Sequence, residues 1–148
     1  MTPPKRMSPV ESTDFSALDA FLADRIAESN LDITRIRDVK DLALQIKDNS
    51  GKIVAGLSGH TWGGTCRINH LWVDPGHRNH GLGHQLMAAA ETHARERGCS
   101  QIVLSSHSFQ APRFYEKLGF IKIGEVADYP RGHSDLIFIK RLTDRDVA

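Results

Sequence analysis

Gly81 and Gly83 stand where one sequence pattern gives way to another. Before them, residues 71–73 predict the end of an apolar strand, and residues 74–76 carry a turn signal. After them, apolar residues at helical spacing predict an amphipathic helix to about Arg97. A helix that begins in this way leaves its first backbone N–H groups unpaired at the positive end of its dipole. The pattern therefore predicts an anion-binding site.

The spacing of the glycines excludes two common phosphate-binding patterns. A phosphate loop needs an earlier glycine and a Lys-Ser or Lys-Thr pair at the helix start, and this sequence has neither. The dinucleotide fingerprint needs a third glycine where this sequence has Leu86. The segment that remains as the candidate consists of Arg78, Asn79, His80, Gly81, Leu82 and Gly83.

That segment resembles the R/Q-x-x-G-x-G/A pyrophosphate loop of the GNAT superfamily of acyl-CoA-dependent N-acyltransferases. A second segment, residues 109–120 (FQAPRFYEKLGF), resembles the A-x-x-(F/L)-Y-x-x-x-G-F pattern that follows the fifth strand in that superfamily. The two segments occur in the family's order, so the resemblance covers roughly residues 40–142. It implies a single mixed, mostly antiparallel α/β sheet with flanking helices, in which the splayed fourth and fifth strands hold acyl-CoA between them.

The resemblance also implies how acetyl-CoA, the co-substrate, is bound. The loop glycines would let the pyrophosphate approach the backbone, Arg78 would shape the loop, and the pantetheine would pair with the fourth strand. Ser108 stands where many members have an asparagine that contacts the cofactor, so that contact is in doubt. The alternative for the loop is a plain helix-entry turn. The residues expected to bind the cofactor are Leu71, Trp72, Val73, Arg78, Asn79, His80, Gly81, Leu82, Gly83, His84 and Ser108.

Tyr115 matches the family tyrosine that protonates the departing CoA thiolate. The alternative is an aromatic core residue beside Phe114 and Phe120. The resemblance implies direct attack of a neutral amine on the thioester in a ternary complex, with the developing oxyanion held by the backbone N–H of Val73. Neither cysteine is placed by a motif to carry an acyl group, so we expect no covalent intermediate.

The general base is the least defined part of the expected site. In several family members it lies six or four residues before the strand valine, and here these positions are Arg67 and Asn69, which accept no proton near neutral pH. Strand alternation directs His70 to the opposite face unless a bulge turns it. His107 ends the adjacent strand and is the less obstructed catalytic candidate. Since nothing in the sequence orients His107, we expect the amine to lose its proton in solution.

Other candidate residues receive weaker expectations. His77, His80 and His84 are close in sequence, but no Cys, Asp or Glu stands at ligand spacing, so we expect no metal. A separate set could line the acceptor pocket, although its two tryptophans suit simple packing equally well. That set comprises Trp62, Trp72, Phe109, Asp128 and Tyr129.

The composition bounds the class of protein. The 148 residues suit one domain, expected over residues 9–148 after a flexible tail at 1–8. Because 19 Lys and Arg nearly balance 18 Asp and Glu, we expect no binding to nucleic acid or to a membrane. The sequence has no span-length apolar stretch and no signal-peptide pattern, which favours a cytoplasmic protein. We expect acetyl-CoA and an amine as partners, and a homodimer is compatible with the sequence.

The remaining patterns predict the order of the elements. A helix follows Thr13 or Asp14, with an edge strand before it at residues 8–11, and residues 30–40 have no clear period. The predicted strands cover residues 42–46, 53–62, 66–74, 102–104, 121–126 and 136–139, and a short helix covers 111–118. The strand at 102–104 reads as buried on both faces. The long helix is predicted to bury Leu82, Leu86, Ala90 and Ala94 and to carry a solvent-facing pair, Glu91 and Arg95.

Two other classes of function remain open. One is a non-catalytic module that binds or senses acyl-CoA, which gains weight if Tyr115 proves dispensable. The other is an interaction protein that keeps the fold without the cofactor, and the two intact loop glycines disfavour it.

Overall fold

The computed structural model describes residues 1–3 and 6–142, and its backbone contacts divide the chain into two units, Met1–Ile36 and Arg37–Ala148. The first unit contains helix α1, Phe15–Thr34. The Asp14 side chain accepts a hydrogen bond from the Ala17 N–H at 3.0 Å and caps the helix start, one of the two predicted caps. The helix ends at Arg35, whose backbone is left-handed with φ 60°.

The first unit corrects two sequence predictions. No strand forms at residues 8–11, all of which lie within the described part of the chain. Helix α1 continues through residues 30–34, where no apolar period was found, because nothing in that stretch breaks a helix. The expected tail includes residues 4–5, and the expected domain includes residues 143–148, both of which lie outside the described residues. No helix in the described residues is long and apolar enough to cross a bilayer.

The second unit is a six-stranded sheet with two further helices and a 3-10 turn at Pro75–His77. The strand order is β1-β2-β3-β4-β6-β5, and neighbouring strands are antiparallel except for the parallel pair β3 and β4. The elements are β1 (Lys40–Lys47), β2 (Ile53–Trp62), β3 (Thr65–Val73), α2 (Leu82–Glu96), β4 (Gln101–His107), α3 (Pro112–Lys117), β5 (Ile121–Ala127) and β6 (Ser134–Arg141).

Strands β3 and β4 separate after a short paired stretch. The paired stretch runs from Thr65, opposite Gln101, to Arg67, opposite Val103. Both strands continue past these residues. The predicted mixed, mostly antiparallel sheet with two splayed strands is therefore confirmed. The splayed strands are the third and fourth of the sheet, because the expected edge strand at residues 8–11 does not form.

The core lies between helix α2 and one face of the sheet. Of the residues predicted to be buried on α2, Leu82 is only partly buried, while Met87, which was not predicted, is buried. In β4 the prediction of a strand buried on both faces is wrong at Val103, which is only partly buried. Side chains of β4 alternate between the face that packs against α2 and a less covered face. The central position of β4 in the sheet is confirmed.

Glu91 and Arg95 pair at 3.0 Å as predicted, but not on the solvent-facing side. Lys140 from β6 binds the second Glu91 carboxylate oxygen at 3.0 Å, so the pair lies in a partly buried contact between α2 and the sheet. Burial acts to raise the pKa of the Glu91 carboxyl, but the hydrogen bonds from Lys140 and Arg95 outweigh it and lower that pKa. The network therefore ties the second half of α2 to β6.

Candidate active site

The loop between β3 and α2 is held by its own side chains. Asp74 accepts a hydrogen bond from the Gly76 N–H at 3.1 Å and contacts His77 Nδ1 at 3.1 Å. The hydrogen bond from His77 is the main cause of the lowered pKa of the Asp74 carboxyl. Arg78 Nε donates to the Val73 carbonyl oxygen at 3.0 Å, which draws the loop back onto the end of β3.

The start of α2 presents unpaired backbone donors. Its first helical bond runs from the Gln85 N–H to the Gly81 carbonyl oxygen at 2.9 Å, so the N–H groups of Leu82, Gly83 and His84 have no partner within the helix. Gly81 is the N-cap and offers no side-chain cap, and the first turn, which is fully described, has no acidic residue. These donors stand at the positive end of the helix dipole and can bind an anion.

Each of the two loop glycines suits its position for a different structural reason. Gly81 has φ 78°, which favours glycine, and a Cβ atom there would meet nothing within 4 Å. A Cβ atom at Gly83 would lie 3.3 Å from Phe114 Cζ and 3.7 Å from Val73 Cγ2. Gly83 therefore lets the loop motif and the downstream aromatic motif pack together. Asn79 is also left-handed, with φ 65°, a conformation that asparagine tolerates.

The end of β3 turns part of its backbone toward the splay. Asp74 donates its N–H to the Val54 carbonyl oxygen on β2 at 2.8 Å. Because bonded and non-bonded pairs alternate along an antiparallel ladder, Trp72 also pairs with β2, whereas Leu71 and Val73 direct their N–H and C=O groups away from it. Of the three residues expected to bind the cofactor through this strand, Leu71 and Val73 therefore have the suitable backbone direction and Trp72 does not.

Tyr115 lies in α3 and is only 8% exposed. Its ring centroid is 5.1 Å from that of Phe114, 5.8 Å from that of Phe120 and 6.1 Å from that of Phe138, so it is a packed aromatic residue. Burial raises the pKa of the Tyr115 phenol, which keeps it protonated at neutral pH. Within the described residues its hydroxyl forms no hydrogen bond, so the proton is available to a ligand.

His107 is held on several sides at the end of β4. Its Nδ1 atom lies 2.9 Å from the Tyr129 carbonyl oxygen and 3.6 Å from Asp135 Oδ1. Its ring is stacked on Phe109 at a centroid distance of 5.4 Å and lies 5.2 Å from the Tyr129 ring. Since both neighbours of Nδ1 are acceptors, they favour the tautomer with the proton on Nδ1 and a free lone pair on Nε2. The sequence showed no partner for His107, and the structure supplies two.

His70 is turned by the bulge that was named as the exception to strand alternation. Ser58 is opposite His70 and Gly59 is opposite Ile68, which leaves Asn69 as the extra residue in β3. His70 therefore shares a face with Arg67 instead of lying opposite it. Its Nδ1 atom is 3.3 Å from Ser58 Oγ, and the residue is exposed.

His70 also lines an open cleft of about 310 Å³ on the β1-β2-β3 part of the sheet. The expected acceptor residues do not all gather in one place. Trp72 lines this cleft, Phe109 and Tyr129 contact His107, and Trp62 is opposite Thr65 at the end of the β2-β3 pair. The lining residues of the cleft are Leu44, Gln45, Ile53, Gly56, Leu57, Ser58, His70 and Trp72.

Ser108 uses its hydroxyl within the protein. Its Oγ atom accepts a hydrogen bond from the Ser134 N–H at 3.0 Å, and its N–H donates to the Ser134 carbonyl oxygen at 2.8 Å. This closes the ends of β4 and β6 against each other. Among the described residues, no three His, Cys, Asp or Glu side chains are grouped as metal ligands.

Sequence reasoning missed Asp135 and the Tyr129 carbonyl as partners of His107. Asp135 is the second residue of β6 and is directly opposite His107 in the register of the two strands. No local pattern signals this pairing, because it depends on which strands become neighbours and in which register.

Comparison with known proteins gives a consistent result. A family model described as the acetyltransferase (GNAT) family matches residues 9–120. The blasticidin-S acetyltransferase of Streptomyces morookaense is 39% identical over 93 residues, which cover 62% of this chain and 68% of that protein. The match to the family model begins at residue 9, well before residue 40, where the resemblance seen in the sequence begins.

Solved structures share the fold. An acetyltransferase from Bacillus cereus ATCC 14579, 35% identical, superposes with a TM-score of 0.79 over 91% of this chain and 98% of the other. An aminoglycoside 6'-N-acetyltransferase solved in complex with coenzyme A is 18% identical, with a TM-score of 0.64 over 72% of this chain and 75% of the other. At that identity the second likeness shows the fold alone.

Proposed function

Because this chain belongs to the acetyltransferase (GNAT) family, we propose that it transfers an acetyl group from acetyl-CoA to a primary amine by direct attack in a ternary complex. One observation carries the proposal. The splay between β3 and β4 opens beside the unpaired N–H groups at the start of α2, so an extended molecule with a pyrophosphate can lie across both.

The residues present suit acetyl-CoA as co-substrate. The amides of Leu82, Gly83 and His84 would bind the pyrophosphate, and the outward backbone groups of Leu71 and Val73 would pair with the pantetheine. The Val73 carbonyl is already taken by Arg78, so the free group of that residue is its N–H. We assign to this N–H the oxyanion that develops on the thioester carbonyl. Asn79 and His80 would contribute loop backbone, and Ser108 a contact at the cleft mouth.

Two side chains would move protons. The amine nitrogen attacks the thioester carbonyl carbon and loses its proton to His107 Nε2, whose lone pair is left free by the contacts at Nδ1. The C–S bond then breaks, and the Tyr115 hydroxyl donates its proton to the departing sulfur. The phenol is protonated at neutral pH, as a proton donor must be, and burial raises its pKa further above neutrality.

Two alternatives for the base stay open to test. The amine can lose its proton in solution, as the sequence alone led us to expect. The second alternative is His70 on β3, one of the two strands that border the splay. The bulge at Asn69 places His70 on the same face of the sheet as Arg67. We favour His107 because its imidazole is oriented by a carbonyl and a carboxylate, whereas the partner of His70 is a single hydroxyl at 3.3 Å.

Release of free CoA across a panel of amines tests the proposal most directly. The panel includes antibiotic amines, since one relative is a blasticidin-S acetyltransferase, together with polyamines, amino acids and lysine peptides.

The second candidate function is a non-catalytic acyl-CoA-binding or sensing module. Calorimetric binding of acetyl-CoA without CoA release from any amine would favour that module. A cytoplasmic location and a homodimer belong to the same proposal.

A further inference from the structure

Four rings form a cluster at the end of β4, and all of them except the His107 ring belong to exposed residues. This ring cluster consists of His107, Phe109, Tyr129 and His133. Phe109 is 55% exposed and Tyr129 is 57% exposed, although both lie within 5.5 Å of the His107 ring between centroids. Phe109 and Tyr129 thus leave about half of their surface open to solvent beside the imidazole.

The segment that carries Tyr129 is closed on itself. Tyr129 donates its N–H to the His133 carbonyl oxygen at 3.2 Å, and His133 donates to the Pro130 carbonyl oxygen at 2.8 Å. The Gly132 N–H donates to Asp128 Oδ1 at 3.4 Å. These bonds order the backbone that carries the Tyr129 ring before any ligand arrives, so binding against the ring costs little ordering of the loop.

The position of the rings bears on the acceptor. If His107 Nε2 accepts the proton of the amine, the amine nitrogen must come within about 3 Å of it. Whatever group the amine carries then lies against the two exposed rings, which flank the same imidazole. Flat groups gain most from such faces, because offset-stacked and edge-to-face contacts add to the burial of apolar surface.

Charge does not select a second cation at this surface. Asp128 and Arg131 belong to the same loop as Tyr129 and carry opposite charges, and the Asp135 carboxylate is already directed at His107. A neutral ring needs no partner charge to bind against the exposed rings.

We propose that Phe109 and Tyr129 form a stacking surface for the acceptor, and that the acceptor carries an aromatic or heteroaromatic ring within two or three bonds of its primary amine. The inference rests on the proposed function, since it uses His107 as the group that the amine approaches. It adds the chemical class of the substrate.

A matched pair of amines tests it. We would compare kcat/KM for 2-phenylethylamine and 2-cyclohexylethylamine, which differ in the flatness of the ring, and for 1,5-diaminopentane. Wild type should prefer the phenyl compound over the cyclohexyl compound, and Phe109→Leu and Tyr129→Leu should each reduce that ratio by roughly threefold to tenfold. Comparing the ratio in each variant with the ratio in wild type removes the effect of differing amine basicity and of any general loss of rate.

Trp72→Leu is the comparison variant. Trp72 lies on β3, is also an exposed aromatic residue, at 48%, and lines the separate cleft with His70. The phenyl-to-cyclohexyl ratio should survive this substitution whatever happens to the total rate. Loss of the ratio in Trp72→Leu alone, an unchanged ratio in both ring variants, or preference for the diamine would overturn the proposal.

A binding measurement separates failure of this inference from failure of the proposed function. The ring protons of His107 and His133 should shift in NMR spectra on titration with 2-phenylethanol and much less with 2-cyclohexylethanol. If no amine is acetylated while these shifts occur, the chemistry is wrong and the ring surface stands. If amines are acetylated without these shifts, the ring surface is wrong and the chemistry stands.

Discussion

The Nδ1 atom of His107 lies 2.9 Å from the backbone carbonyl oxygen of Tyr129, 22 residues further along the chain. Because the acceptor is a backbone atom, the orientation of the imidazole depends on the path of the loop after β5 and not on the identity of the Tyr129 side chain. Asp135, opposite His107 in the strand register, adds a carboxylate 3.6 Å from the same nitrogen. The free nitrogen, Nε2, is thereby defined.

This arrangement predicts the pH dependence of turnover. The kcat/KM profile of wild type should rise with pH as the base loses its proton, and His107→Ala should lose that rise. His70→Ala is the matched control, since it removes the histidine of β3, the other strand of the splay, and it should keep the rise. If the amine deprotonates in solution, the rise will instead move with the basicity of the acceptor. Profiles with two acceptors of different basicity decide between these outcomes.

Tyr115→Phe tests the proton donor. The substitution keeps the packed ring between Phe114, Phe120 and Phe138 and removes only the hydroxyl, so folding should be preserved. We expect kcat to fall on the order of 10²-fold or somewhat less, with the affinity for acetyl-CoA nearly unchanged. Steady-state kinetics and calorimetry measure the two quantities. An unchanged kcat would assign Tyr115 to the core alone.

The proposed anion site can be tested with two glycines that have nearly the same φ angle. Gly81 and Gly98 stand at opposite ends of α2 with φ 78° and 77°, and a Cβ atom at either would meet nothing within 4 Å. Valine at either position costs about the same backbone strain, on the order of 1–2 kcal/mol. Only Gly81→Val places a side chain where the pyrophosphate would lie, so only that variant should lose acetyl-CoA affinity beyond its loss of thermal stability.

Calorimetric titration measures the acetyl-CoA affinity of each glycine variant, and thermal melts without ligand measure its stability. Similar loss of acetyl-CoA affinity in Gly81→Val and Gly98→Val would mean that strain in α2, and not access to the loop, explains the effect. Gly83 is the poorer test, since a Cβ atom there would press on Phe114 and disturb the packing directly.

Because the thiol of Cys66 is buried, we expect the protein to lose stability at alkaline pH. The residue has no exposed surface, and burial, aided by the nearby Cys99, raises the pKa of its thiol from the ordinary 9.0 to about 11. Between these values the unfolded chain releases the proton and the folded chain keeps it, so the free energy of unfolding falls as pH rises. The full effect is about 2–3 kcal/mol.

Urea unfolding at pH 8 and pH 10.5 measures the effect, with Cys66→Ala as reference. The substitution removes the titration, while the cost of its cavity is the same at both pH values. Wild type should therefore lose more stability than the variant over this interval. Parallel losses in the two proteins would show that other groups cause the alkaline effect.

The sequence by itself determined the parts that depend on neighbouring residues. Asp14 caps its helix, residues 81–84 begin the next helix with unpaired amides, and Gly98 ends that helix, because caps, turns and helix starts are set within a few residues. The order of the two motifs was likewise sufficient to predict the family and its mixed sheet. Their direct contact, at Gly83 and Phe114, follows only from the folded chain.

Only the tertiary structure decided which distant groups meet. His107 is oriented because β6 becomes the neighbour of β4 in a register that brings Asp135 opposite it. His70 changes face because β3 carries one residue more than β2 at Asn69. Strand periodicity is local, but register and bulges depend on pairing between segments far apart in the chain, and a shift of one residue moves a side chain to the other face. For that reason the loop that we propose as the anion site could be predicted, and the partners of the candidate base could not.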